Sequence, residues 1–252
     1  MADSKSTQPP TLYNVLLIGD DCVDIYQYGT VDRISPEAPV PVFKFSHEEQ
    51  RHGMAGNVRE NLEALGCNVT YLHGNTSTKT RLIDLRSKQH IVRIDNDVES
   101  TPITFATEIP AVYDAIVISD YNKGTVSYEL IEELRQEFVG PIFVDTKKTD
   151  LARLEGCIVK INSLENSLIK TSCTDLIVTM GKYGARYKEV TYSADPVEVA
   201  DVCGAGDTFL AALVSEYLVQ HSVEAAIPYA VRAAGVTVQH LGVYAPTWKE
   251  LE

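Results

Sequence analysis

Long apolar runs are missing from this sequence. Nowhere does it approach the roughly 20 consecutive apolar residues of a membrane span, so no membrane partner is expected. The start, Met1-Ala2-Asp3-Ser4-Lys5-Ser6, lacks the apolar stretch of a secretory leader, and a cytoplasmic protein is expected. Cysteine is sparse. Cys22, Cys67, Cys157, Cys173 and Cys203 form no C-x-x-C pair and are odd in number, which favours reduced thiols over a disulfide framework or a zinc site. The six histidines show no metal-ligand spacing. Basic residues are also few. The 22 lysines and arginines face 35 acidic residues, a net charge of −13 that nucleic-acid phosphates repel, so no nucleic-acid partner is expected. What remains, 44% apolar and 23% charged over 252 residues, is ordinary globular composition with ample chain for a core.

Residues 1–12 are polar, contain Pro9-Pro10, and are expected to form a disordered tail before a single domain over 13–252. Apolar runs at Tyr13–Gly19, Ala115–Ser119, Pro141–Asp145, Cys157–Ile161 and Leu176–Thr179 suit strands buried on both faces. Helical spacing lies between several of them: Val58, Leu62 and Leu65 before Gly66, and Leu130, Ile131 and Leu134 after Ser127. The alternation predicts an α/β fold, a mostly parallel central sheet flanked by helices. Two segments carry strand patterns without helices. At about 25–47 lie Ile25–Gly29 and Pro39–Phe45; at about 79–94 lie Thr80–Leu85 and His90–Ile94 around a turn at Ser87-Lys88. These read as ribbons of a small antiparallel β lid, whose exposed edges invite association, so a homodimer through the lid is expected.

Long helical patterns at Thr208–Tyr217 and Ala225–Val238 follow the turn Asp201-Val202-Cys203-Gly204-Ala205-Gly206-Asp207. Gly204, Ala205 and Gly206 leave backbone N–H groups unobstructed at a helix start, an anion site suited to the charge that develops in phosphoryl transfer. Asp207, at the same helix start, is placed to accept a proton from an attacking hydroxyl. The plainer alternative is an Asp cap after a flexible turn.

The Asp-x-x-Gly-Ala-Gly-Asp run before a small-residue helix resembles the C-terminal signature of the ribokinase-like, or PfkB, sugar kinases. Gly53-Met54-Ala55-Gly56-Asn57 is similar to the N-terminal signature, in which the glycines let a sugar approach and Asn57 bonds a hydroxyl. Asp24 matches the aspartate that holds sugar hydroxyls beyond the first strand. Arg33-Ile34-Ser35-Pro36-Glu37-Ala38-Pro39-Val40-Pro41-Val42 resembles the lid of the bacterial heptose 7-phosphate kinases, and Ser119-Asp120-Tyr121-Asn122-Lys123-Gly124 their Ser-Asp-Tyr-x-Lys-Gly segment.

That resemblance implies an ATP-dependent sugar kinase with Mg²⁺. Asp207 and the Gly204, Ala205 and Gly206 amides would be catalytic. Asp24, Gly53, Asn57, Asp120 and Lys123 would bind substrate, and Arg33, Lys79, Arg81 and Arg93 would meet its phosphate, with at least one of these four on a solvated strand face. Asn162 and Glu165 match the family's Asn-x-x-Glu and would serve nucleotide and metal, the metal through water; a plain helix start is the alternative. Thr179, Gly181 and Gly184 match a turn bordering the nucleotide phosphates, or form a simple hairpin. Cys203 reads as packing.

The implied substrate is D-glycero-D-manno-heptose 7-phosphate, phosphorylated at O1. Another sugar or sugar phosphate, or a non-catalytic binding relative, are the alternatives. The chain departs from the family in three places. Residues 74–77 and 166–175 are shortened, each at the expense of a helix or strand, and Met54 replaces a glycine. The adenylyltransferase half of bifunctional relatives is not expected.

Overall fold

Two strands in this computed structural model belong to two layers at once. The structure describes residues 12–105 and 112–252, so the tail expected over 1–12 lies outside it except for Leu12. Strands β1 (Asn14–Ile34) and β3 (Asn68–Asp84) lie side by side, parallel, from Asn14↔Asn68 to Gly29↔Asp84. Their first halves sit inside the central sheet. Their second halves run out into the lid, where β2 (Pro41–Met54) flanks β1 and β4 (His90–Asn96) flanks β3, both antiparallel. The two ribbons expected at 25–47 and 79–94 are thus antiparallel hairpins joined by a parallel seam.

From β1 the central sheet continues through β5 (Ala115–Asp120), β6 (Ile142–Thr146), β7 (Ile158–Asn162) and β8 (Leu176–Thr179), all parallel. Two three-residue strands, β9 (Ala185–Tyr187) and β10 (Val190–Tyr192), close that edge antiparallel. Period-two alternation sorts the core. Val15, Leu17, Val117 and Phe143 face one layer, built by α1 (Ala55–Ala64), α4 (Ala205–Gln220) and α5 (Val223–Thr237). Leu16, Ile18, Ile116, Ile118 and Val144 face the other, where α2 (Tyr128–Glu137) supplies Leu130, Ile131 and Leu134. Each fully buried Leu, Ile or Phe contributes roughly 1.5–3 kcal/mol. Helix α4 lies between sheet and α5, and Phe209 to Val214 are all buried, as a helix apolar on every side requires.

Two stretches escaped the sequence pattern. Ser46–Gly53 continues β2 although it is polar throughout, because a lid strand wetted on both faces needs no apolar alternation. Strands β9 and β10 are too short to show a period. Strand β3 runs unbroken through 74–77, and helix α3 (Ser163–Asn166) makes a single turn before the chain enters β8. No helix among the described residues is long and apolar enough to cross a membrane.

Candidate active site

The two glycine-rich turns meet at the carboxyl ends of the parallel strands, where ligands bind in open α/β sheets. Gly204 begins α4 in the left-handed conformation (φ 77°), and a Cβ there would lie 2.8 Å from the Asn57 amide nitrogen. Close approach and conformation both call for glycine. It starts a helix turn whose first N–H groups have no intrahelical partner. Asp201 anchors the turn, accepting from the N–H of Cys203 and of Gly242 at 3.0 Å each; despite burial, those bonds hold its carboxyl below the usual range.

Asp207, in that first turn, is buried and doubly held. The Asn57 amide donates to its Oδ2 at 2.7 Å, and the Tyr121 hydroxyl donates to its Oδ1 at 2.9 Å. A directed chain stands behind Asn57: Thr237 donates to Thr208, Thr208 to the Asn61 side-chain oxygen, and the Asn61 amide to the Asn57 oxygen. The chain decides which way the Asn57 amide faces. Burial, reinforced by Asp145, pushes the Asp207 carboxyl up to about 6 against the opposing pull of Asn57, Lys160 and Tyr121. A carboxylate with that proton affinity suits a general base near neutral pH.

The cleft beside Asp207 holds about 1170 Å³. Gly204, Ala205, Gly206 and Asp207 line it together with Asn162 and Glu165, Thr179, Gly181 and Gly184, and Asp120. Asn162 and Glu165 close a capping box at α3, the Asn162 side chain accepting from the Glu165 N–H and Glu165 Oε2 from the Asn162 N–H. The motif is therefore a helix start and a cleft wall together. The same holds for residues 179–184, which turn β8 into β9. Gly184 is at φ 87°, and a Cβ there would lie 1.9 Å from the Tyr192 carbonyl oxygen.

Metal fit is limited but sufficient. No group of three or more His, Cys, Asp or Glu among the described residues is arranged to hold a metal. Glu165, however, lines the cleft, and among the described residues its Oε1 has one ion-pair partner, Lys147 at 3.8 Å. One carboxylate suits Mg²⁺, which keeps most of its water and takes phosphate oxygens.

The substrate-side residues are distributed unevenly. Gly53 packs on Asp24, where a Cβ would lie 2.5 Å from Oδ2. The Asp24 carboxylate is paired with the Arg81 guanidinium, both buried, and Arg81 also lies over the Tyr26 ring. Lys79 makes no ion pair among the described residues and lies over the Tyr121 ring, 6.0 Å from its centroid. Lys123 is bound to Asp97 at 2.6 Å, and Arg93 to Asp95 at 2.8 Å on exposed β4. Arg33 is exposed near the far end of β1. Asp120 turns inward, toward the Thr146 hydroxyl (2.6 Å), Lys148 (3.1 Å) and the Asn122 N–H (2.9 Å).

Residue types alone did not mark several members of the site. Lys160 is buried and paired with Asp145 at 2.6 Å, its Nζ 3.1 Å from where a Gly206 Cβ would lie. Burial alone would lower its proton affinity, yet Asp145 keeps it raised. A lysine within a β-strand was the one available signal. Asp20 accepts from the N–H groups of Tyr121, Lys123 and Thr125, and so shapes the 118–124 segment. Burial, with Asp201, raises the Cys203 thiol to about 11, which leaves it protonated and inert at neutral pH.

The sheet order, the lid carried on two shared strands and the facing glycine turns define the ribokinase-like class. Ribokinase of Arabidopsis thaliana, complexed with ribose and ATP, superimposes with a TM-score of 0.69 at 15% identity, covering 96% of this chain and 98% of that one. Phosphofructokinase-2 of Escherichia coli, in complex with potassium, gives 0.71 at 14% identity over 96% and 97%. Residues 149–250 match the profile of the pfkB family carbohydrate kinases. The bifunctional protein HldE of Nitrosococcus oceani is 30% identical over 96% of this chain, and that of Nitratiruptor sp. 33% identical over 94%. The pfkB profile thus matches the C-terminal part of the chain, while the likeness to the HldE proteins runs over nearly all of it. The chain spans 64% of the length of each of those two relatives.

Proposed function

We propose that this protein transfers the γ-phosphoryl group of ATP to a hydroxyl of a phosphorylated sugar, the first candidate being O1 of D-glycero-D-manno-heptose 7-phosphate. The observation that carries the reading is the buried Asp207 carboxylate beside the 204–206 turn, where the Gly204 and Gly206 amides have no hydrogen-bond partner among the described residues, in the lining of one large cleft. Asp207 takes the proton of the sugar hydroxyl. The sugar oxygen bonds to the γ-phosphorus as the bond to ADP breaks, and ADP leaves. Amides of the turn stabilise the equatorial oxygens, with Lys160 beneath them; positioning and electrostatics supply the rate. Mg²⁺, held at Glu165 chiefly through water, would neutralise nucleotide phosphate charge when bound. Asp24 and Asn57 orient the sugar, and Lys79, which makes no ion pair among the described residues and lies over the Tyr121 ring, meets the substrate phosphate. Asp120 acts by fixing the 118–124 segment, since its oxygens are already engaged.

Likeness to the HldE proteins over nearly the whole of this chain supports the heptose phosphate ahead of other sugars. A panel of heptose 7-phosphate, fructose 6-phosphate and ribose, with ADP release followed and products identified by mass spectrometry, tests the choice. Activity on heptose 7-phosphate, with a mass gain of one phosphoryl group, is expected. Activity confined to another sugar would reassign the substrate. Ligand binding without transfer at any Mg²⁺ concentration would favour a non-catalytic relative.

The lid is the proposed dimer contact. Ile34, Val40, Phe45, Val92 and Ile94 are 45–60% exposed on it, and β2 and β4 leave open strand edges. Sedimentation should give a dimer that Phe45→Glu with Ile94→Glu dissociates. A concentration-independent monomer would contradict this.

A further inference from the structure

We infer that Tyr121 is a positioning residue for the base: its hydroxyl fixes the Asp207 carboxylate for proton transfer, while its ring divides the sugar side of the cleft from the phosphate side. The inference rests on the kinase reading above and deepens it.

Geometry carries the first part. The Tyr121 hydroxyl reaches one carboxylate oxygen and the Asn57 amide the other, so rotation of the carboxylate about its bond is stopped from both ends. Each carboxylate oxygen accepts two hydrogen bonds, so a site for the acceptor hydroxyl remains. The phenol is a donor and not a rival for the proton. Burial, with the charges of Asp207 and Asp145, raises its proton affinity well above the ordinary value.

The ring carries the second part. Lys79 approaches it from the lid, and Lys147, just beyond β6, lies 4.9 Å from its centroid. One cation belongs to the wall proposed for the sugar phosphate, the other to the wall with Glu165. The mount is stiff. Tyr121 N–H donates to Asp20 Oδ2 at 2.8 Å and Lys123 N–H to the same oxygen at 3.0 Å, with Asn122 (φ 60°) and Gly124 (φ 102°) turning the backbone around that carboxylate.

The charged or titratable groups facing Asp207 are Tyr121 from the 118–124 segment, Asp145 from β6, Lys160 from β7 and, through Tyr121, Glu165 from α3. Only the first is altered by Tyr121→Phe, which keeps the ring. That variant should lose about 10- to 100-fold in kcat with KM for both substrates within about threefold. The acid limb of its kcat/KM profile should move up by roughly half to one pH unit, because a hydrogen bond to the ionised form is lost. In an Asp207→Asn background the same change should leave residual turnover within about threefold, since Tyr121 acts through Asp207. Tyr121→Ala, which also removes the wall, should raise both KM values. Thermal melts of each variant establish folding. An unmoved acid limb with unchanged kcat in Tyr121→Phe, or an equal loss in both backgrounds, would overturn the role of Tyr121 and leave the kinase reading standing. Full turnover by Asp207→Asn alone would overturn the base itself.

Discussion

The side-chain amide of Asn57, in the first turn of α1, lies 2.7 Å from Oδ2 of Asp207, in the first turn of α4, across 150 residues of sequence. The N-terminal and C-terminal halves of the chain therefore meet on one carboxylate, and the site forms only when the fold is complete.

The proton affinity of Asp207 sets both activity and stability against pH. Its carboxyl rises from the usual 3.8 to about 6, chiefly through burial. The kcat/KM profile should fall with unit slope below about pH 6, measured by ADP release. Because the folded-state value exceeds the unfolded one, keeping this group ionised costs stability above about pH 6. That cost fades as pH falls through 6 and is gone below the unfolded value. At pH 8 Asp207→Asn should be the more stable protein, by at most about 3 kcal/mol at roughly 1.4 kcal/mol per unit, and the gain should vanish near pH 4 in chemical denaturation.

The chain from Thr237 through Thr208 and Asn61 to Asn57 should act on rate more than on binding. Asn61→Ala leaves Asn57 free to turn its oxygen toward Asp207, which repels it. A kcat loss of about tenfold with little change in KM is expected from steady-state kinetics.

The buried Asp24–Arg81 pair predicts a non-additive stability pattern. Arg81→Met leaves the Asp24 carboxylate buried without its cation and should cost about 3–5 kcal/mol. Adding Asp24→Asn should recover much of that loss, which urea titration of the single and double variants would reveal.

Met54 opens α1 at φ 51°, ψ −132°, a conformation open mainly to glycine, with its side chain buried. Truncation to Ala removes the burial and keeps the strain; truncation to Gly removes both. Met54→Gly should therefore be more stable than Met54→Ala by about 1–2 kcal/mol, the reverse of the usual order, as read from melting curves.

Much of this fold could be read from residue order. Runs such as Val15–Ile18 and Ala115–Ser119 announce doubly buried strands because both faces are apolar. Motif order likewise brought Asp207, Asn57 and the 204–206 turn into view. Polar β2 from Ser46 to Gly53 was hidden, since strands held by hydrogen bonds in solvent leave no periodic trace. Lys160 and Asp20, and the role of Tyr121 within its recognisable motif, were hidden for another reason: their partners, Asp145, the 121–125 backbone and Asp207, are chosen by tertiary placement. The pairing of Arg81 with Asp24 follows from β1 and β3 being neighbours, which no local pattern states.

Proton acceptance by Asp207 is tested most directly by turnover of Asp207→Asn with heptose 7-phosphate and ATP, alongside calorimetric ATP binding. Loss of turnover by about a thousandfold or more, with ATP affinity within about threefold of the parent, is the expected result. Turnover within tenfold of the parent, in a folded variant, would contradict the account.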